Sequence, residues 1–182
     1  MTDPVTHLLW GYVLVRTLTP KPQYLFLGML TGILLDIGVV LPLLAHHGWL
    51  HTPVFVLFVS LTLYGASRDR LMFLVPVVGL GSHLVLDSIG SGVMWLWPVS
   101  TASYAILPIE SLAGLTAANV FLFMIPLYTI WERWKAIGES PTAVIRWVNG
   151  FIPQPVAWGG VSTLGLMTVF VMGERYVAMV VG

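Results

Sequence analysis

Apolar residues run along this chain in blocks of roughly membrane-spanning length, and polar residues cluster in the short gaps between them. A helix needs ~20 mostly apolar residues to cross the hydrocarbon core of a bilayer. Five blocks meet or approach that length, at residues 23–44, 53–67, 71–97, 104–131 and 156–180. The second is short, and the last carries Glu174 and Arg175. A sixth block at 5–19 is short for a span and reads as a tilted or half-inserted helix, separated from the next by Pro20 and Pro22. The alternation of a membrane β-barrel is absent, and helical runs interrupted by glycine and proline take its place. The pattern therefore predicts an all-α protein: a polytopic helical membrane bundle of five to six transmembrane segments, in one domain over residues 1–182. No internal repeat and no low-complexity linker is visible.

Composition strengthens the membrane reading. Hydrophobic residues make up 57% and charged residues 9%, too little charge to cover the surface of a soluble domain. The formal net charge is zero, so no nucleic-acid partner is expected. There is no basic stretch before the first apolar block, so no cleavable signal peptide is expected. Threading the blocks back and forth puts Arg16, Lys21, Arg68, Arg70, Arg133, Lys135 and Arg146 on one side and only Arg175 on the other. By the positive-inside rule the first side is cytoplasmic, in a multi-pass cell-membrane protein. Trp49, Trp95, Trp97 and Tyr104 then fall near the outer boundary, where an aromatic belt belongs.

The chemistry is concentrated in a few polar residues inside these apolar blocks. His83 and Asp87 are four residues apart and so project from one face of a helix. Ionisable side chains at bilayer depth are expensive and mark functional sites. The alternative is a structural hydrogen bond between the two or across two helices. Asp36 lies about 20 Å into its helix from the cytoplasmic end, and His83 and Asp87 lie at about 18 and 24 Å in theirs. His46, His47 and His51 occupy the outer loop, and His7 starts near the same level if its block runs inward. Glu110 lies near the outer end of its span and is a further candidate catalytic carboxylate, or a residue that snorkels to the surface. Thr52 and Pro53 read as a helix cap and first helical residue, which would hold His51 just outside a helix end. With no cysteine in the chain, a metal would be held by His, Asp or Glu, and the imidazole count favours zinc among divalent metals. No phosphate-binding glycine loop, GxSxG elbow or HExxH motif is present.

The motifs resemble a known pattern as a set. They are THLLWGY at 6–12, GILLDIG at 32–38, HHGWLHT at 46–52, SHLVLD at 82–87 and WPVS at 97–100. Their order is similar to that of the membrane-bound metal-dependent hydrolases of the inner membrane, over about residues 5–100. The resemblance implies that His7, Asp36, His46, His51, His83 and Asp87 are the polar motif positions. Two departures stand out. The family's Pro-Asp-x-Asp reads Leu35-Asp36-Ile37-Gly38, with one carboxylate fewer, which bears on a two-metal site. The family's His-Arg-Gly has His47 in place of the arginine.

These readings give one leading expectation and two alternatives. The first is a metal-dependent hydrolase in which His51, His83 and Asp87 hold a metal, with His7, Asp36 or His46 completing the site. Asp36 or Glu110 would be the catalytic carboxylate, and a membrane lipid or lipid-linked ester or phosphoester the substrate partner. The second is a transporter or channel subunit that uses the same residues for a metal ion or protons. The third is a membrane scaffold whose metal is structural and fully coordinated.

Overall fold

Prolines and short polar caps decide where the helices start. The computed structural model describes residues 4–36, 48–89, 91–107, 109, 111–137, 146 and 150. The helices among them are α1 (Pro4–Leu18), α2 (Pro22–Ile33), α3 (Pro53–Ser67), α4 (Arg70–Asp87) and α5 (Leu112–Ile137). A 3-10 turn, Leu34–Asp36, continues α2. Pro22 and Pro53 sit in the first turn, where a missing N–H is no loss. The Thr52 hydroxyl accepts the Phe55 N–H at 3.2 Å, so the cap expected before α3 is present. Asp69 caps α4 by accepting the Leu71 N–H at 2.9 Å. Its other carboxylate oxygen accepts the Tyr24 hydroxyl. The Tyr24 bond, then the Leu71 bond, holds the Asp69 carboxyl below the usual carboxylate range.

Those contacts fix the helix directions. Tyr24 near the start of α2 meets Asp69 at the start of α4, and Gly32 near the end of α2 meets His83 near the end of α4, so α2 and α4 run parallel. The carbonyl of His7 lies against Gly32 while Val15 lies against Gly28, so α1 runs antiparallel to α2. Only Arg68 and Asp69 separate α3 from α4, and Arg68 makes the reversal in the left-handed conformation at φ 58°. Helix α5 joins α1 through the Trp10 indole N–H, which donates to the Leu122 carbonyl at 2.8 Å. Arg16, Lys21, Arg68 and Arg70 therefore gather at one pole, and the starts of α1 and α3 lie with the ends of α2 and α4 at the other.

Glycines let three of these helices touch backbone to backbone. A Cβ on Gly11 of α1 would run into the Gly28 carbonyl oxygen, and one on Gly32 would lie 2.5 Å from the His7 carbonyl oxygen. A Cβ on Gly79 of α4 would strike the Thr31 hydroxyl. Small residues at such crossings matter in a bilayer, because lipid tails are as apolar as leucine and close van der Waals packing must hold the helices together. Two apolar clusters flank this junction. Val15, Tyr24, Leu25 and Val75 fill the side toward the basic pole. Leu35, Leu50, Val56, Leu80, Leu84 and Val93 fill the other.

The chain is helical as expected, and no strand forms among the described residues beyond two isolated bridges. The block at 53–67 is α3 as read, and the block at 5–19 is α1, packed into the bundle. Two expected spans need correction. The block at 71–97 stops at Asp87, where Ser88 caps the helix and residues 91–107 fold back over its end. The block at 104–131 is shifted, running from Leu112 to Ile137. In the block at 23–44 the α-helix runs to Ile33 and a 3-10 turn follows at Leu34–Asp36, while 37–44 lie outside the described residues. Among the described residues α4 is the one helix long and apolar enough to cross a membrane alone, and α3 is apolar but shorter. The block at 156–180 lies outside the described residues.

The junction gives a paired test. Gly11→Ala should lower unfolding stability in detergent by about 1–3 kcal/mol, since backbone and not a flexible side chain opposes the new methyl. Gly81→Ala, with nothing within 4 Å of its added Cβ, should leave stability unchanged or raise it. Equal effects from the two would remove the junction as a packing determinant.

Candidate metal centre

Five residues from four parts of the chain meet at the pole opposite Arg16 and Arg70. His7 comes from the first turn of α1, Asp36 from the turn after α2, His51 from just before α3, and His83 and Asp87 from the last turns of α4. None is more than 3% exposed. The Asp87 Oδ1 atom lies 3.5 Å from His7 Nε2, and its Oδ2 lies 3.6 Å from His51 Nε2 and 3.3 Å from His83 Nε2. His83 Nε2 is also 3.8 Å from Asp36 Oδ1. The His7 and His83 rings stack with centroids 3.7 Å apart and planes 15° from parallel. His51 meets His83 edge-on at 5.3 Å.

Local sequence explains each placement. The i,i+4 spacing aims His83 and Asp87 along one face of α4. Leu35, fully buried, anchors the 3-10 turn and swings Asp36 toward His83. The Thr52 hydroxyl donates to the Trp49 carbonyl at 2.8 Å, and the His51 N–H donates to the Gly48 carbonyl at 3.0 Å, so the approach to α3 is a fixed turn. Gly32 serves twice. Its lack of a side chain admits the His7 backbone, and its carbonyl accepts His83 Nδ1–H at 2.7 Å.

That last bond decides the chemistry of His83. A carbonyl can only accept, so Nδ1 carries a proton, and in the neutral ring Nε2 would present its lone pair to Asp36 and Asp87. Nε2 is buried and makes no hydrogen bond among the described residues. A lone pair facing two carboxylates is unfavourable unless a positive charge lies between them. An imidazole whose other nitrogen donates to a backbone carbonyl is the usual form of a metal-bound histidine. The distances agree. Separations of 3.3–3.8 Å exceed the ordinary hydrogen-bond range but suit the edges of a coordination shell, roughly 3.3–3.4 Å for tetrahedral bonds of about 2.0–2.1 Å.

Electrostatics points the same way. Asp87 ends α4, so its carboxylate sits at the negative end of that helix's dipole, with Asp36 beside it across His83. One divalent cation balances two carboxylates among neutral imidazoles. His7, His83 and Asp87 offer donor atoms all within 4.8 Å of one another, and His51 and Asp36 adjoin them. The donor set therefore fits a transition metal, with zinc suited to the imidazole share.

The sequence profile of the YdjM inner membrane protein family matches residues 1–166. The chain belongs to the YdjM inner membrane protein family. That membership puts it in the inner membrane and reaches well beyond the stretch of about residues 5–100 that carries the motif resemblance. No curated protein and no solved structure matches the chain. Of the candidate residues, the structure unites His7, Asp36, His51, His83 and Asp87, while His46 and Glu110 lie outside the described residues. His7 is a central member, stacked on His83. The Gly32 carbonyl had no signature in the sequence, since a backbone oxygen is offered by every residue.

Purified protein is expected to retain tightly bound transition metal. His83→Ala and Asp87→Ala should each weaken binding by more than roughly tenfold. Metal content measured by elemental analysis checks this, and an unchanged content in the double variant would return the pair to a structural hydrogen-bonding role.

Proposed function

We propose that this YdjM family member is a multi-pass integral-membrane hydrolase that depends on a divalent metal, most simply zinc, and acts on a lipid or lipid-linked ester or phosphoester. The observation that carries the reading is the buried constellation of three imidazoles and two carboxylates with His83 Nε2 turned toward both acids. Bound there, the metal would supply a water acidified toward neutrality and polarisation of the scissile group. His7, His51, His83 and Asp87 would hold it. Asp36 is the outlying carboxylate, 3.8 Å from His83 Nε2, and suits a general base that takes the proton from water. Glu110 stands as a second catalytic candidate. Placing the basic pole in the cytoplasm puts the centre in the outer half of the bilayer, reached by lipid from the leaflet and by water from outside.

A transporter reading needs polar groups that continue past the centre to the far side. Among the described residues the core on the way to the basic pole is Val15, Tyr24, Leu25 and Val75, and no buried titratable histidine or carboxylate lies there. This supports chemistry at one face over passage through the bundle.

Asp36→Asn separates the readings. It keeps size and much hydrogen bonding but removes the charge. Hydrolysis of lipid esters or phosphoesters by metal-loaded protein should fall by roughly two to four orders of magnitude, while the variant remains folded and retains metal. If wild-type protein releases no product from any of these substrates yet carries a metal ion or protons into proteoliposomes, the hydrolase reading is wrong.

A further inference from the structure

The segment at 91–107 has no role in the metal centre, yet it is tied to the centre's supporting helix. Its base is fixed. Val93 and Tyr104 exchange both backbone hydrogen bonds, at 3.1 and 3.0 Å. The Ile106 N–H donates to the Ser88 carbonyl at 2.8 Å, and the Trp95 indole N–H donates to the Ser88 hydroxyl at 3.1 Å. Ser91 Oγ donates to the backbone carbonyl of Asp87 itself. Val93 is fully buried in the apolar cluster under the site. The tip is the reverse. Val99 is 93% exposed and Leu96 is exposed near it, and at the base Tyr104, Ile106 and Leu107 turn apolar surface outward as well.

Such a surface is unfavourable in water, where a contiguous exposed apolar patch marks a contact. Its composition names the partner. Residues 88–109 contain no Asp, Glu, Lys, Arg or His, so nothing here suits a charged protein surface. Hydroxyls at Ser100, Thr101 and Ser103 lie between Trp97 and Val99 on one side and Tyr104 on the other, a mixture that suits the headgroup and acyl boundary of a bilayer. The segment also begins at the end of α4, the helix able to cross the membrane, so it emerges at bilayer depth.

We propose that residues 91–107 form an interfacial element that beds its tip in the lipid leaflet beside the metal centre. The rim next to Asp87 then meets lipid and not bulk water. This holds whether or not the centre hydrolyses anything, and it supplies a lipid-facing edge if it does.

The cysteine-free chain permits a direct test. Val99→Cys carrying an NBD fluorophore is placed, as full-length protein, in nanodiscs of phosphatidylcholine and phosphatidylglycerol, which leave both faces open to solutes. An apolar surface element sits roughly 5–10 Å into the boundary, so lipids with a doxyl group high on the acyl chain should reduce emission about twofold or more. Iodide should quench little, in contrast to the same fluorophore at Lys135→Cys, an exposed position in the last turn of α5. Strong iodide quenching with weak doxyl quenching at position 99 would make the segment an aqueous loop and overturn the proposal. Quenching by neither would place it against protein, such as another part of this chain or a second copy, and would overturn it equally. Hydrolytic activity is not read in this experiment, so its outcome is separate from the fate of the hydrolase reading.

Discussion

Two carboxylates, removed from solvent on neighbouring helical segments, set the terms for everything around them. Asp36 and Asp87 are at most 3% exposed. Asp87 ends α4, where the helix dipole is negative. Burying charge in this way costs several kcal/mol per ion even after relaxation. The fold answers by bringing imidazoles from α1, α4 and the approach to α3 to within 3.3–3.8 Å of the acids. A neutral imidazole cannot cancel two negative charges, but it can share a cation with them. The donor set would suit a cation shared between the two acids.

The glycine junction makes that convergence geometrically possible. His7 can stack on His83 because α1 approaches α2 at Gly11, Gly28 and Gly32 with no side chain between the backbones. Gly32 then couples packing to chemistry, since the residue that admits α1 also accepts the His83 proton and so orients Nε2. Packing of this closeness is a sound support for a site in a bilayer, where burial of apolar area gives helices no reason to prefer one another over lipid. Rigid support of this kind is also what a metal ligand set requires.

Much of this was legible in the chain, and the parts that were not have physical reasons. The His83 and Asp87 spacing, the Thr52 cap, the Pro53 start and the shared depth of Asp36 with the α4 pair are local or periodic signals, and each is found in the structure. Hydropathy carries the third block to 97, ten residues past the end of α4 at Asp87, because apolar content continues through a segment that is folded back and hydrogen-bonded outside the helix. Hydropathy reports depth in the membrane and not helicity. The start of α5 was misplaced for the same cause, since residues 104–107 are apolar but belong to that segment. His7 had little weight as a single histidine, because its partner lies 76 positions away in the chain and only the tertiary packing joins them. The glycines at 11, 28, 32 and 79 were visible as residues but their close approach was not, as no local pattern says which helices meet.

X-ray absorption spectroscopy on the purified protein loaded with one equivalent of zinc tests the central claim most directly. The account predicts a nitrogen and oxygen shell at roughly 2.0–2.1 Å with the multiple-scattering signature of at least two imidazoles, reduced when His83 is replaced by alanine. Zinc that is lost on desalting, or that shows only an oxygen shell with no imidazole scattering, would contradict it.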